Sequence, residues 1–319
     1  MTTTITPSLP TIREAQALLA EYLPTTSLVP CSGLSTSSAP VHLKLEIELP
    51  TNSFKPRGAL YALATNLRRR SIQEVTASST GNHGAAVAYA AKTLGVPATI
   101  FLPANPNPVK RQRIADLGAR IIEVGGQDLA HAFLEASAYS ARPGIYFLND
   151  ATDIDLPAGP ATIGMEILQQ LPEVASIYVP MGDTALIRGI GAATKQLKPH
   201  VTIIGVQSER APSYYLSWKE NRPIPTETCD TIADGLATRT PEAESVRAIR
   251  ELVDEIILVS EDEMLNAIRL LYQHANVVAE PAGAAATAAF LKHPSAAGPA
   301  ALLVSGGNIS DSIRLRAGL

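Results

Sequence analysis

Cysteine is scarce in this sequence. Of 319 residues only Cys31 and Cys229 are cysteine. They lie far apart and show no metal-ligand spacing, so each reads as an inert thiol and a reducing compartment fits. An excess of one charge is also missing. A net charge of −4 gives no electrostatic reason to expect nucleic acid or an anionic membrane as partner. No uninterrupted apolar run is long enough to span a bilayer. The opening "MTTTITPSLP" lacks the basic region followed by an apolar core that marks a signal peptide. A soluble cytoplasmic protein is therefore expected. Repeats at solenoid spacing and low-complexity tails are absent too.

What is present is an ordinary globular composition, 46% hydrophobic and 18% charged, at a length that suits two medium domains or one large one. From residue 74 onward strand-like and helix-like runs alternate. "EVTASS", "PATIFLP", "RIIEVGG" and "GIYFLN" are β-prone. Between them lie the Ala-rich "HGAAVAYAAKTLG", "PVKRQRIADLG" with proline at its first helical position, and "QDLAHAFLEASAYSA". This rhythm with short loops predicts a mostly parallel sheet covered on both faces. It restarts after residue 157 with "PAGPATIGMEILQQL", "SIYVPM", "TALIRGIGAATKQL" and "VTIIGVQSE". A break rich in proline and charge spans residues 210–245, and "AALLVSGG" is the last strand. The pattern is α/β with two lobes, and the chain changes lobe near residues 147–157. The N-terminal "TIREAQALLAEYL" and "VHLKLEIEL" lack the rhythm. They are expected to pack on the second lobe, with a crossing to the first near residue 50.

Four short stretches carry candidate chemistry. In "TNSFKPRGA" Lys55 lies between apolar Phe54 and Pro56, with Arg57 close by. A surface lysine and a functional one both fit, since burial or a nearby cation is what makes a lysine give up its proton. "SSTGNHG" follows a strand and opens a helix, so several N–H groups can face one anion. Its serines and threonine can equally serve as helix caps. "SGGN" ends the last strand, where α/β sheets bind ligands, although a plain Gly-Gly turn is as ordinary there. "PMGDTALIRG" also joins a strand to a helix through a glycine turn, but with Asp183 in the place where an anion would sit.

Together, and in this order, "SFKPRGA", "SSTGNHG", the glycine turn, "EPAGAA" and the final "SGGN" resemble the fold-type II pyridoxal-phosphate enzymes. The similarity is greatest to their threonine/serine dehydratase and serine racemase branch, and it covers the chain from about residue 12 onward. It implies a tryptophan-synthase-β-like fold of two lobes, each a mostly parallel twisted sheet flanked by helices. Residues 1–50 and 148–319 would form the large cofactor-binding domain, and residues 51–147 a small domain closing over the substrate. It implies pyridoxal 5'-phosphate as cofactor, carried by Lys55 as a Schiff base, with Lys55 also moving protons at the substrate Cα. Phe54 would pack on the pyridine ring, Asn82 would bond its hydroxyl, Glu280 would lie near it, and Ser305 would bond its nitrogen. Gly182, Asp183, Thr184, Ala185 and Leu186 would hold the phosphate. Ser79, Thr80, Gly81, Asn82 and His83 would hold the substrate carboxylate.

The activity implied is an ammonia-lyase acting on a β-hydroxy amino acid: threonine, serine, or a bulkier relative such as a phenylserine or hydroxyaspartate. Amino-acid racemisation and non-catalytic cofactor binding are the alternatives. A homodimer is implied by analogy. No regulatory domain follows "SGGN", which points to a catabolic enzyme. Where relatives of serine racemase carry acidic metal ligands, this chain has Gln207 and Ser213, so no metal is expected, with Glu209 the one substitute nearby. Tyr214, Tyr215 and Trp218 concentrate aromatics in a chain with 5% of them, either as core or as a pocket border. Relatives usually carry several glycines where this chain has only Gly182. Asp183 is expected to turn its side chain toward solvent or a cation such as Arg188 while its N–H faces the phosphate.

Overall fold

The computed structural model describes residues 6–104, 106, 108–125, 129–294 and 298–319. In chain order the elements are α1 (Leu9–Leu19), β1 (Leu28–Pro30), β2 (Val41–Leu45), α2 (Lys55–Arg69), β3 (Glu74–Ser78), α3 (Asn82–Leu94), β4 (Ala98–Pro103), α4 (Pro108–Asp116), β5 (Arg120–Val124), α5 (Leu129–Ser140) and β6 (Ile145–Phe147). Then follow α6 (Ala158–Gln170), β7 (Ser176–Pro180), α7 (Ala185–Leu197), β8 (Thr202–Ser208), α8 (Ser213–Glu220), α9 (Ala243–Leu252), β9 (Glu255–Val259), α10 (Glu261–Ala275), α11 (Pro281–Lys292), β10 (Ala300–Val304) and α12 (Asp311–Ala317).

The strands form two sheets. One has four strands in the order β5-β4-β3-β6, and the other has six in the order β1-β2-β10-β7-β8-β9. Every pairing is parallel except β1 with β2. The buried run Ala300–Val304 sits between β2 and β7, pairing Val304 with Leu45 and Leu302 with Tyr178. Strands buried on both faces need no polar alternation, which is why "AALLV" and "SIYVP" read as continuous apolar runs.

These orders decide where ligands go. In the small sheet the chain moves outward through β3, β4 and β5 and returns to place β6 on the other side of β3. In the large sheet it moves from β7 through β8 to β9, and β10 returns to the other side of β7. Each sheet thus has a topological switch point, and the crevice beyond the carboxyl ends of the two strands flanking it is the natural binding place in an α/β sheet. The segments emerging there are residues 79–81 and 148–150 from the small sheet, and residues 181–184 and 305–308 from the large one.

Helix ends follow ordinary chemistry. α3 stops on Gly95 at φ +69°, a left-handed cap that glycine takes without strain. α10 begins with Ser260 and Glu263 in a reciprocal capping box. Among the described residues the apolar core has one cluster on each face of the large sheet, a main one in the small lobe, and a minor one there around Phe101, Ala132 and Ala136. α1 does not pack on the second lobe alone. Ile12 joins the large-lobe cluster, while Ala15, Leu18 and Leu19 join the small-lobe cluster, because its apolar residues face both α6 and α2. Tyr214 lies wholly within the core, and Tyr215 and Trp218 pack against it half-buried. Among the described residues no helix is long and apolar enough to cross a membrane.

Candidate active site

Lys55 opens α2, and Pro56 behind it suits the first helical turn. Its Nζ lies 2.7 Å from Asp150 Oδ2, and both side chains keep about a fifth of their surface, 19% and 21%. Burial alone would lower the lysine pKa. The charge and hydrogen bond of Asp150, followed by the charges of Asp183 and Glu280, instead push it above the ordinary lysine value. Burial likewise opposes ionisation of Asp150, yet the charge that His83 carries when it is protonated, and then the Lys55 ammonium, hold its carboxyl below the usual range.

α3 enters the site without a side-chain cap at Gly81. Ser79 Oγ accepts from Gly81 N, at 3.2 Å. Ser78 Oγ is buried with no partner among the described residues. The hydroxyls of "SSTG" therefore do not close the helix end. The first-turn N–H groups stay available, and with the dipole they suit an anionic group. Asn82 donates to Glu280 Oε1 at 2.6 Å and accepts from Asn308 Nδ2 at 2.6 Å. His83 is buried and bonds Leu148 O at 2.9 Å through Nε2. Burial pulls its pKa below the ordinary value, so the ring is neutral at pH 7 and donates that hydrogen bond.

α7 has the same open form. Its cap residue Thr184 sits at φ +68°, uncommon for a β-branched residue, and makes no side-chain cap bond. Thr184 Oγ1 is buried with no partner. A strained backbone plus an orphaned hydroxyl in a helix-opening turn marks a place shaped for a ligand. Gly182 is packed so closely that a Cβ there would lie 2.2 Å from Gly235 O. The turn is therefore covered by residues 232–238, which the sequence showed only as a break in the rhythm.

That cover changes the expectation for Asp183. Its carboxylate accepts from Thr238 Oγ1 at 3.0 Å. Burial first, then the charge of Asp150, pushes its pKa up to about 6. The expected cation, Arg188, reaches Ala151 O at 3.4 Å, and burial pulls its own pKa down to about 10. Thr238 is held in turn by Ser213 Oγ, which donates to Thr238 O at 2.6 Å.

At the end of β10, Ser305 is buried and its carbonyl accepts from Phe54 N at 3.0 Å. Phe54 packs half-buried against the large-lobe core. Gly306 lets Glu280 pass: a Cβ there would stand 2.3 Å from Glu280 Oε1. Burial raises the Glu280 carboxyl to about 7. Ala185 and Leu186 are buried in the first turn of α7. Thr80 lies half-buried in the turn before α3.

Gln207 and Ser213 serve structure. Gln207 Oε1 accepts from Tyr215 N at 2.8 Å, which helps to hold the start of α8. Glu209 pairs with Lys292 at 3.0 Å. Lys110 and Arg113 of α4 reach the large lobe, Lys110 by pairing with Asp234 and Arg113 by donating to Asn308. Arg113 also donates to Thr51 O at 2.7 Å, at the start of the small lobe.

The donor set fits a phosphorylated aldehyde cofactor. One uncapped helix end with an orphaned hydroxyl suits the phosphate, a second suits a carboxylate, and an amine stands between the carbonyl-binding loops. One measurement probes the first point. Gly182→Ala must displace Gly235, so the affinity for the cofactor is expected to fall at least tenfold by equilibrium titration, with the thermal unfolding of the unloaded protein shifted by only a few degrees. Unchanged affinity would detach the turn from the phosphate.

Sequence reading missed Asp150 and Thr238, gave Asn308 no role of its own within "SGGN", and named Arg188 only as a cation for Asp183. Asn308 closes the "SGGN" motif and Asp150 emerges just past β6, so strand ends were a usable signal for both.

Residues 20–306 match the family described as pyridoxal-phosphate dependent enzyme. The chain is 36% identical over 301 residues to the L-threonine ammonia-lyase of Geobacter sulfurreducens, covering 93% of this chain and 75% of that protein. It is 37% identical over 300 residues to the L-threonine ammonia-lyase of Thermotoga maritima, with the same coverage. Among solved structures, maize serine racemase superposes with a TM-score of 0.91 at 27% identity, covering 98% of this chain and 97% of that one. The threonine deaminase of T.th. superposes at 0.87 with 33% identity, covering 95% and 99%.

Proposed function

The chain belongs to the pyridoxal-phosphate-dependent enzyme family, and we propose that within it this enzyme is an ammonia-lyase for a β-hydroxy amino acid. It would convert L-threonine, L-serine or a bulkier relative to a 2-oxo acid and ammonia. The observation that carries this reading is that two helix N-termini without a side-chain cap, those of α3 and α7, open near Lys55: the lysine feels the charge of Asp183, beside the start of α7, and of Glu280, which Asn82 bonds at the start of α3. One suits an α-carboxylate and the other a phosphate. The L-threonine ammonia-lyases at 36% and 37% identity support the choice of reaction.

The residue roles belong to the same proposal. Lys55 would carry the cofactor and take the proton from the substrate Cα. The cofactor, when bound, supplies an electron sink for the pair left on that carbon. The turn Ser79, Thr80, Gly81, Asn82 and His83 would hold the substrate carboxylate, which aligns the Cα–H bond for removal. Gly182, Asp183, Thr184, Ala185 and Leu186 would hold the phosphate, with Asp183 kept from repelling it by its hydrogen bond to Thr238. Phe54 would pack on the ring, and Asn82 and Glu280 would border it. Ser305 offers its nitrogen a neutral hydroxyl, which does not hold a proton there and so favours prompt loss of a β-substituent over a long-lived carbanion. The small lobe, residues 51–147, would close on the large one through the contacts of Lys110 with Asp234 and of Arg113 with Asn308. A cytoplasmic homodimer completes the reading.

The test is a panel of β-hydroxy amino acids assayed for 2-oxo acid. Release from at least one is expected, and release from none would overturn the proposal. Thr80 favours a second reading. Its hydroxyl stands in the carboxylate-binding turn and could return a proton to Cα from the opposite face, as an amino-acid racemase requires. Chiral analysis after incubation with L-serine separates the two, because a dehydratase leaves no D-isomer.

A further inference from the structure

Asp150 is built into place more firmly than an ordinary loop residue. It follows β6 at the switch point of the small sheet. Asn149 Oδ1 accepts from Ala151 N at 3.0 Å, which tightens the turn around it. The carbonyls on either side, of Leu148 and Ala151, are taken by His83 and Arg188. His83 Nδ1 lies 3.8 Å from the carboxylate. Because the neutral ring spends its one N–H on Leu148 O, that nitrogen presents a lone pair and cannot donate to Asp150. The remaining charged neighbours are Asp183, which repels it, and Arg188, whose guanidinium is turned to Ala151 O. Among the described residues Lys55 is therefore its one side-chain donor.

In the proposed reaction the Lys55 nitrogen is either bonded to the cofactor or taking up the Cα proton. While bonded to the cofactor it gives Asp150 no ammonium, and as the free base it becomes one only after the Cα proton has moved. A carboxylate left with its own backbone N–H as donor when its cation is taken and the site closes on a substrate is costly. The group able to replace the ammonium is whatever the substrate carries beside the carbon that Lys55 deprotonates. We propose that Asp150 selects the β-substituent of the substrate: it accepts a hydrogen bond from a β-hydroxyl or a β-ammonium and rejects amino acids whose side chain bears a second carboxylate.

This deepens the ammonia-lyase reading and rests on it. Threonine, serine and phenylserines remain substrates, and hydroxyaspartate is disfavoured. L-2,3-diaminopropionate becomes a candidate. There Lys55 takes the Cα proton, the Cβ–N bond breaks, and its electron pair leaves with the nitrogen as ammonia. Hydrolysis of the remainder with one water then gives pyruvate and a second ammonia.

The experiment compares the wild-type holoenzyme with Asp150→Asn on L-threonine, L-2,3-diaminopropionate and L-threo-3-hydroxyaspartate. In the variant, kcat/KM for hydroxyaspartate relative to threonine is expected to rise at least tenfold. The value for diaminopropionate relative to threonine is expected to fall at least tenfold. An effect exerted only through the position or pKa of Lys55 would scale all three alike and leave both ratios unchanged. Binding of L-aspartate and L-alanine, which carry no β-leaving group, is measured by calorimetry. The variant is expected to gain at least tenfold for aspartate over alanine. Ratios that move less than twofold in both measurements overturn the proposal. If no β-substituted amino acid is turned over by the wild type, the ammonia-lyase reading fails, and the aspartate-to-alanine contrast still decides the role of Asp150.

Discussion

Lys55→Ala is expected to give a folded protein that holds no covalent cofactor and loses about 10⁴-fold or more in kcat/KM on its best β-hydroxy amino acid. On the proposed roles two functions would be lost at once: the Schiff-base nitrogen, and the base that takes the Cα proton, a role worth roughly 10²–10⁴ on its own. The fold should survive, because Lys55 stands at the first position of α2 and its Nζ contacts the cleft and Asp150. Its removal leaves Asp150 without its cation, so Lys55→Arg serves as the companion variant. Arginine keeps a charge beside Asp150 but forms no Schiff base under these conditions. Both variants should lack the visible absorption of the attached cofactor and show no mass increment at residue 55 after borohydride reduction. Turnover in either at more than a hundredth of the wild-type rate would show that Lys55 does not carry the chemistry.

Lys55 could be found from sequence because its significance lies in a local string and in a place, the loop before a helix. Gly182 and Ser305 were legible for a related reason: each follows a parallel strand, and strand ends are where α/β sheets bind. The βα rhythm itself is a periodic signal, so the two sheets followed from it. The partners of these residues are another matter. Asp150 lies 95 positions from Lys55, and a carboxylate in a loop resembles any solvated loop residue until the sheet order brings it to the switch point. Thr238 lies 55 positions from Asp183, inside a stretch whose proline and charge looked like an interruption. In fact that stretch covers the turn at Gly182, so Asp183 finds the hydroxyl of Thr238 there. Arg57 was noticed only as a cation near Lys55, while its true partners stand 11 and 109 positions away.

Those partners make Arg57→Ala the substitution expected to cost the most stability. The guanidinium is 2% exposed and lies between two carboxylates that are themselves buried. It meets Glu46 through Nε at 2.8 Å and through a terminal nitrogen at 2.9 Å, a bidentate pairing. It meets Glu166 at 2.6 and 2.9 Å, and Thr162 Oγ1 at 2.9 Å. Lys44, wholly buried, closes the group at 2.6 Å from Glu166. Two cations thus balance two carboxylates where β2, α2 and α6 meet. Removing Arg57 leaves Glu46 with the hydroxyl of Thr26 and Glu166 with Lys44. Breaking a buried pair from one side costs about 3–5 kcal/mol, a large share of the roughly 5–15 kcal/mol that holds a typical domain folded. Arg57→Lys keeps the charge without the fork and should cost less.

The pH dependence separates this account from a simple packing loss. Burial opposes ionisation of Glu166, but the charge and hydrogen bonds of Arg57, followed by Lys44, hold its carboxyl below the usual value. In the wild type its contribution is present above the unfolded carboxylate pKa and is lost as pH falls through the lower folded value. In Arg57→Ala burial is less opposed, so the carboxyl shifts upward and its proton becomes easier to keep. The penalty should therefore be greatest above pH 7 and shrink as pH falls toward about 4.5. Urea unfolding of both proteins at pH 8 and pH 5 measures the difference. A gap below about 1 kcal/mol at pH 8, or a gap equal at both pH values, would mean that the charges are not what Arg57 contributes. Because Arg57 and Lys55 share the first turn of α2, a loosened anchor would also move the catalytic amine. The destabilised variant should then lose cofactor affinity even where it remains folded.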